Sequence, residues 1–141
     1  MLSLPARKLT LNRLQTKTLL VLDDDVQFHR ILTLANKPNF FHHIDHHYEV
    51  DALIRYLTAN QQSKANLPDV IFVDLSLPVN DGWSFLNAFE VIRSSLCKQI
   101  TVYILTASVR KADRERASGY TFVKQYISKP FTMDQFREIA A

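Results

Sequence analysis

Cysteine, glycine and proline are all scarce in this chain. A single cysteine among 141 residues, Cys97, excludes an internal disulfide and any cysteine-built zinc site, and suits a reducing compartment, so a cytoplasmic location is expected. Two glycines and five prolines exclude collagen-like and low-complexity chains, which need many backbone-permissive or helix-breaking residues. So few glycines also leave no Gly-rich phosphate loop of the Walker or dinucleotide type, and nucleotide binding in the usual manner is set aside. No apolar run approaches the roughly 18 residues of a membrane span, and residues 1–17 hold no apolar segment of signal-peptide length.

A charge excess is missing too, outside one segment. The net charge of +3 divides unevenly: residues 1–17 carry Arg7, Lys8, Arg13 and Lys17 without an acid, which leaves 13 bases against 14 acids in the rest of the chain. A nucleic-acid binder carries its basic excess on a folded face, so direct DNA binding is not expected. Residues 1–17 read as a basic N-terminal tail in which Leu4, Leu9, Leu11 and Leu14 recur among the bases. Residues 18–141 read as one domain, since 47% hydrophobic and 22% charged residues is an ordinary globular composition.

What the chain does have is alternation. Leu19, Leu20, Val21 and Leu22 form an apolar run too short for a helix, which reads as a strand buried on both faces. Asp23, Asp24 and Asp25 follow, and then a helix over residues 26–37 with Phe28, Ile31, Leu32 and Ala35 inward and Asp25 as its N-cap. Residues 39–47, rich in aromatics and histidine, are read as a second strand, and residues 49–60 as a helix with Val50, Leu53, Ile54 and Leu57 on one face. Val70, Ile71, Phe72 and Val73 repeat the first design and also end on an acid, Asp74. A turn with Pro78, Asn80, Asp81 and Gly82 leads to a helix over residues 83–96, with Phe85, Leu86, Phe89 and Ile92 inward. A fourth strand ends at Thr106, a charged helix covers residues 109–118, a fifth strand spans residues 123–128, and the last helix places Met133, Phe136 and Ile139 on one side. Strict alternation with continuously apolar strands predicts an α/β fold: a flavodoxin-like, doubly wound parallel sheet in the order 2-1-3-4-5, its ligand site beyond the carboxyl ends of the strands.

That edge gathers Asp23, Asp24, Asp74, Thr106 and Lys129. Clustered carboxylates raise one another's pKa unless a cation joins them, and hard oxygen ligands suit Mg2+ or Mn2+. A divalent ion beside a lysine forms a receptor for a phosphoryl group, and one carboxylate can then serve as nucleophile.

These motifs, taken in order, resemble a receiver domain of the two-component response regulator family over residues 18–141. They are Asp23-Asp24, Asp74 within Val-Asp-Leu-Ser-Leu-Pro-Val-Asn-Asp-Gly, Thr106-Ala107, Tyr126, and Ser128-Lys129-Pro130-Phe131. The resemblance implies that Asp74 accepts a phosphoryl group from the phosphohistidine of a sensor histidine kinase or a phosphotransfer protein. It implies that Asp24, Asp74 and the Ser76 backbone carbonyl ligate Mg2+ while Asp23 acts through water, that Lys129 and Thr106 contact the phosphoryl oxygens, and that Lys129-Pro130 is a cis peptide. Thr106 and Tyr126 would form a switch that repacks the fourth helix, fifth strand and fifth helix for a downstream protein target. Ser76 and Ser108 stand where the family tunes the acyl phosphate's lifetime, and both being small and polar leads us to expect slow self-dephosphorylation without unusual persistence. Pro78 is read as stiffening the loop that carries Ser76, and Gly82 as supplying a backbone conformation costly for other residues. Leu77 stands where the family commonly has methionine, a volume-conserving change.

The implied protein is a stand-alone receiver, not a dedicated enzyme, with its oligomeric state open because the final helix is short. The alternatives are a phosphorylation-independent interaction module of the same fold and, ranked below it, a small metal-dependent phosphohydrolase, which would lack a substrate-binding cap. His42, His43, His46 and His47 read as an exposed or partly packed strand rather than a zinc site, since neighbours on a strand point to opposite faces. Trp83 reads as core, Cys97 as a structural thiol, and Arg110, Lys111, Arg114 and Arg116 as a solvated helix face.

Overall fold

Uninterrupted apolar runs at Leu19–Leu22 and Val70–Val73 place side chains on both faces of a sheet, and both faces must be covered. The computed structural model describes residues 17–77 and 81–141. In chain order its elements are β1 (Thr18–Leu22), α1 (Val26–Ala35), β2 (His43–His47), α2 (Val50–Ala59), β3 (Val70–Val73), α3 (Gly82–Ile92) with a 3-10 turn (Arg93–Ser95), β4 (Thr101–Thr106), α4 (Lys111–Ala117), β5 (Val123–Ser128) and α5 (Met133–Ala140). All four pairings are parallel and the order is β2-β1-β3-β4-β5, the expected doubly wound arrangement. No helix among the described residues is long and apolar enough to cross a membrane. Residues 1–16, Pro78 and Asn80 lie outside the described residues, so the readings of the basic tail and of the Pro78 loop are not addressed by it.

Alternation along each strand divides the core in two. Leu20, Leu22, Ile71, Val73, Val102 and Ile104 pack with α2 and α3 through Leu53, Leu57, Phe85, Leu86 and Phe89. Leu19, Val21, Phe72, Tyr103, Leu105 and Ile127 pack on the other face with Phe28 and Leu32 of α1 and Phe136 and Ile139 of α5. Side-chain caps fix where three helices start. Asp25 accepts from the Gln27 amide, Asp81 accepts from the Ser84 amide, and Thr132 with Gln135 forms a reciprocal capping box.

Several expectations need correction. β2 begins at His43 rather than at residue 39, because Asn39 turns back with φ 61 and the Asn36 side chain bonds the Phe41 backbone on both sides, at 2.8 and 3.0 Å. Phe41 then drops into the core. Ile31 faces outward, since the buried stripe of α1 is centred on Phe28, His29 and Leu32, and a histidine fills the place assigned to the isoleucine. Met133 is exposed as well, leaving Phe136, Ile139 and Ala140 as the inward face of α5. α4 is shorter than expected, and Ala117 is its one buried residue. Arg114 and Arg116 do not simply face solvent: their guanidinium groups lie 4.9 Å from the Tyr126 ring centroid and 4.3 Å from that of Trp83. Trp83 is buried, as expected. Cys97 is half-buried and its amide donates to the Gln61 carbonyl at 2.8 Å.

Gly82 is required for a different reason from the one expected. It does not have a positive φ. Instead the start of α3 passes so close to β3 that a Cβ would lie 2.3 Å from the Asp74 carbonyl oxygen and 2.7 Å from the Leu75 Cα. Both obstacles are backbone and cannot rotate away. Gly82→Ala is therefore expected to destabilise the fold by about 2–3 kcal/mol, the usual range for overpacking, as read by urea unfolding; a change below about 0.5 kcal/mol would contradict this close approach.

Candidate functional site

Asp23, Asp74 and Lys129 each sit one position beyond a strand and Thr106 at the last position of one, where a parallel sheet leaves its final amides and carbonyls to pair onward. The Asp23 amide donates to the His47 carbonyl at 3.1 Å, the Asp74 amide to the Leu22 carbonyl at 3.0 Å, and the Lys129 amide to the Thr106 carbonyl at 2.8 Å. The ladder thus carries the ends of β1, β3 and β5 to one edge, with Thr106 closing β4 between them.

Asp23 and Thr106 are buried, Asp74 is 9% exposed and Asp24 is open to solvent. One carboxylate oxygen from each of Asp23, Asp24 and Asp74 lies within 4.8 Å of the others. Lys129 Nζ donates to Asp23 Oδ2 at 2.6 Å, stands 3.8 Å from Asp74 Oδ2, and rests 3.9 Å from the Phe28 ring centroid. The Ser76 amide donates to Asp74 Oδ1 at 3.3 Å, so the loop after β3 folds against that carboxylate. The Lys129-Pro130 peptide is cis, as the resemblance implied.

On the far side of Thr106 its hydroxyl accepts from the Ser108 amide at 3.3 Å. Ser108 in turn donates its hydroxyl to Asp113 of α4 at 2.6 Å, and its carbonyl accepts from the Tyr126 hydroxyl at 3.0 Å. Tyr126 is half-buried beneath Arg114, whose guanidinium also donates to Ser128 Oγ at 2.9 Å.

Asp23, Asp24, Asp74, Ser76, Thr106, Ser108 and Lys129 therefore lie along one edge, while Tyr126 sits inside β5 and reaches that edge only through its hydroxyl bond to the Ser108 carbonyl. Two contributors went unread: Phe28, taken as core, forms the floor under Lys129, and His29 donates to the Asp23 carbonyl at 2.7 Å. A histidine one turn into the helix after an acidic pair was the only available signal, and it does not say which way the ring turns. The other histidines divide as expected, His46 toward α1 and His47 against Tyr56 of α2, while His43 pairs with Asp45 at 2.7 Å. Burial holds the pKa values of His46 and His47 below the ordinary histidine range.

Three carboxylates and one ammonium leave two negative charges in excess. Oxygens on one octahedral ion at about 2.1 Å can be at most about 4.2 Å apart, so three oxygens within 4.8 Å fit a single small divalent ion with slight closure or one bridging water. Burial, foremost, and the neighbouring Asp23 carboxylate push the pKa of Asp74 up, against the opposing pull of Lys129, the Ser76 amide and the Thr106 hydroxyl.

A family model for the response regulator receiver domain matches residues 19–141. The chain belongs to that family. This receiver domain is 28% identical over 119 residues, 84% of its own length and 75% of the relative's, to the "Probable methanogenesis regulatory protein FilR2" of Methanothrix harundinacea. It is 38% identical over 68 residues, 47% of its length, to the "Sensor histidine kinase CheAY" of Helicobacter pylori, of which the match covers 8%. Among solved structures it is similar to a two-component response regulator from Cytophaga hutchinsonii, with a TM-score of 0.72, 21% identity, and 88% and 93% of the two chains covered. It is also similar to the phosphorylated cyanobacterial phytochrome response regulator RcpA, with a TM-score of 0.69, 23% identity and 89% of each chain covered, and to the Mn(2+)-bound form of response regulator Rcp1, at 0.68, 23% and 88% of each. The receiver family is a signalling module of two-component systems rather than a dedicated enzyme.

The raised pKa of Asp74 sets the sign of a pH effect. In metal-free protein its ionised form is less favourable folded than unfolded, so its contribution is fully present below the ordinary carboxylate pKa and is lost as pH rises through the raised folded value. Asp74→Asn is expected to stabilise the metal-free protein at pH 7, on the order of 1 kcal/mol, with the gain fading as pH falls through the carboxylate range. Urea unfolding at neutral and acid pH checks this, and a gain that is equal at both contradicts it.

Proposed function

We propose that this receiver domain accepts a phosphoryl group onto Asp74 from a phosphohistidine of a sensor histidine kinase or phosphotransfer protein, with Mg2+ or Mn2+ held by Asp24, Asp74 and the Ser76 carbonyl. The observation that carries this reading is the Asp23, Asp24 and Asp74 cluster with Lys129 reaching across it. The match to a histidine kinase and the naming of similar regulators as phosphorylated and Mn(2+)-bound support it.

Asp23 fixes Lys129 at 2.6 Å and, with a divalent ion in place, would act toward it through water. A bound divalent ion supplies positive charge that favours an ionised Asp74 and offsets the phosphoryl oxygens. An Asp74 carboxylate oxygen then forms a bond to phosphorus as the phosphorus–nitrogen bond to the imidazole breaks, the electron pair leaving with the imidazole nitrogen. Lys129, only 3.8 Å from Asp74 already, receives one phosphoryl oxygen, and the Thr106 hydroxyl donates to another. Slow loss of the group follows when water attacks phosphorus and the carboxylate leaves, with Ser76 and Ser108 flanking the path of that water.

The output is a change on α4, β5 and α5, read by a downstream protein in the cytoplasm. Thr106 is linked through Ser108 to Tyr126, so the hydroxyl's turning toward phosphate withdraws an acceptor from the Ser108 amide and loosens the segment whose carbonyl holds the Tyr126 hydroxyl.

Incubation with a small acyl phosphate and Mg2+ followed by intact mass tests the acceptor. Wild type should gain one phosphoryl group, Asp74→Asn and chelated protein none, and Lys129→Gln should gain it about 100-fold more slowly. No gain in folded, metal-binding wild type would instead favour a phosphorylation-independent module. For the output, hydrogen exchange along α4 and β5 should differ between the two phosphorylation states, and Tyr126→Ala should reduce that difference at equal phosphoryl occupancy.

A further inference from the structure

His29 is 3% exposed, and both of its ring nitrogens are engaged. Nε2 stands 2.7 Å from the Asp23 carbonyl oxygen, which can only accept, so Nε2 carries the proton. Nδ1 stands 2.6 Å from His46 Nδ1. In the neutral ring it is a lone pair, and His46 must donate to it from Nδ1. This tautomer follows from the partners on each side. The ring is also backed by Tyr48, its centroid 4.4 Å away.

The other polar groups of Asp23 are occupied as well. Its amide donates to His47, Oδ1 accepts from the Asp25 amide at 2.9 Å, and Oδ2 accepts from Lys129. The carbonyl is the atom that leads the chain into Asp24, the exposed member of the cluster, and His29 is what holds it. A side chain that acts on a metal-binding carboxylate through the backbone beside it controls the direction in which that carboxylate points.

We propose that His29 is a positioning residue for the acidic site: by donating from Nε2 to the Asp23 carbonyl, with His46 fixing its ring, it sets the Asp23-Asp24 turn in the conformation that receives a divalent ion. This rests on the metal-dependent reading above. A histidine that only filled space in α1 would be replaceable by any side chain of similar volume, whereas a positioning histidine needs its donor.

Mg2+ titration calorimetry on wild type, His29→Phe and His29→Gln separates the two. His29→Phe keeps a ring and loses the donor, and is expected to bind Mg2+ about tenfold more weakly while folded. His29→Gln restores an N–H at similar reach and should recover most of that loss. His29→Met replaces the phenylalanine variant should that one unfold. In metal-free wild type, nitrogen resonances should show His29 protonated at Nε2, and the Asp25 amide should exchange more slowly than in the apolar variant. Unchanged Mg2+ affinity in the folded apolar variant, or an equal loss in the glutamine variant, would overturn the proposal. Failure of wild type itself to bind Mg2+ would overturn the metal-dependent reading instead, and Asp25 amide exchange, which needs no metal, would then decide whether His29 sets the turn: equal exchange in wild type and the apolar variant overturns it.

Discussion

Lys129 and Asp23 are 106 residues apart in the chain and 2.6 Å apart in space, and the geometry of the sheet edge depends on that pair. Lys129 follows β5 and Asp23 follows β1, while β3 and β4 lie between them in the sheet. To reach its partner the lysine must cross the ends of the intervening strands, which is why Nζ also comes within 3.8 Å of Asp74. Burying such a pair yields little net stability, because desolvation offsets most of the attraction. What it fixes is direction: the ammonium is held over the site, and its apolar stem is backed by Phe28 in place of water.

That pairing divides the three carboxylates. Asp23 has both side-chain oxygens engaged, one by Lys129 and one by the Asp25 amide. Asp24 is exposed, and Asp74 is held by a long contact with the Ser76 amide, the Thr106 hydroxyl and its distant lysine. Asp23 is thus the carboxylate most committed to protein donors, while Asp24 opens to solvent beside it. Burial, foremost, and the Asp23 charge outweigh the donors around Asp74, so ionisation of the acid at the end of β3 is disfavoured. A cation entering from solvent would relieve that, and the oxygen donors gathered there suit one small divalent ion.

Strand ends are legible in a sequence because a parallel sheet writes them as apolar runs that stop at polar residues: Asp23, Asp74 and Thr106 announced themselves in this way, whereas β5 carries Lys124 and Gln125 within it and Lys129 was legible only as the lysine after that strand in Ser128-Lys129-Pro130-Phe131. Helix faces were less so, since periodicity gives a stripe but not its centre; Ile31 and His29 are two residues apart, and tertiary packing chose the histidine. The Asn39 turn was hidden for a similar reason, because a side chain bonding the backbone five residues on leaves no hydrophobic pattern. The role of Gly82 was visible as a glycine but not as a close approach, which depends on where β3 passes. Partners of His29 were beyond reach, being set by two elements that meet only when the sheet forms.

The helices are also unequally attached, and the inequality has a direction. α1, α3 and α5 each bury large side chains, and burying one such group contributes about 1.5–3 kcal/mol. α4 buries Ala117 and otherwise leans on guanidinium groups over Tyr126 and Trp83, contacts worth about 0.5–1 kcal/mol each near a surface. It is joined to the site by the short segment from Thr106 through Ser108 to Asp113. A rearrangement beginning at Thr106 would meet the least resistance along that segment, because moving α4 would break two cation–ring contacts, the Arg114–Ser128 and Ser108–Asp113 hydrogen bonds and the packing of one alanine, whereas moving any of the well-buried helices would open the core.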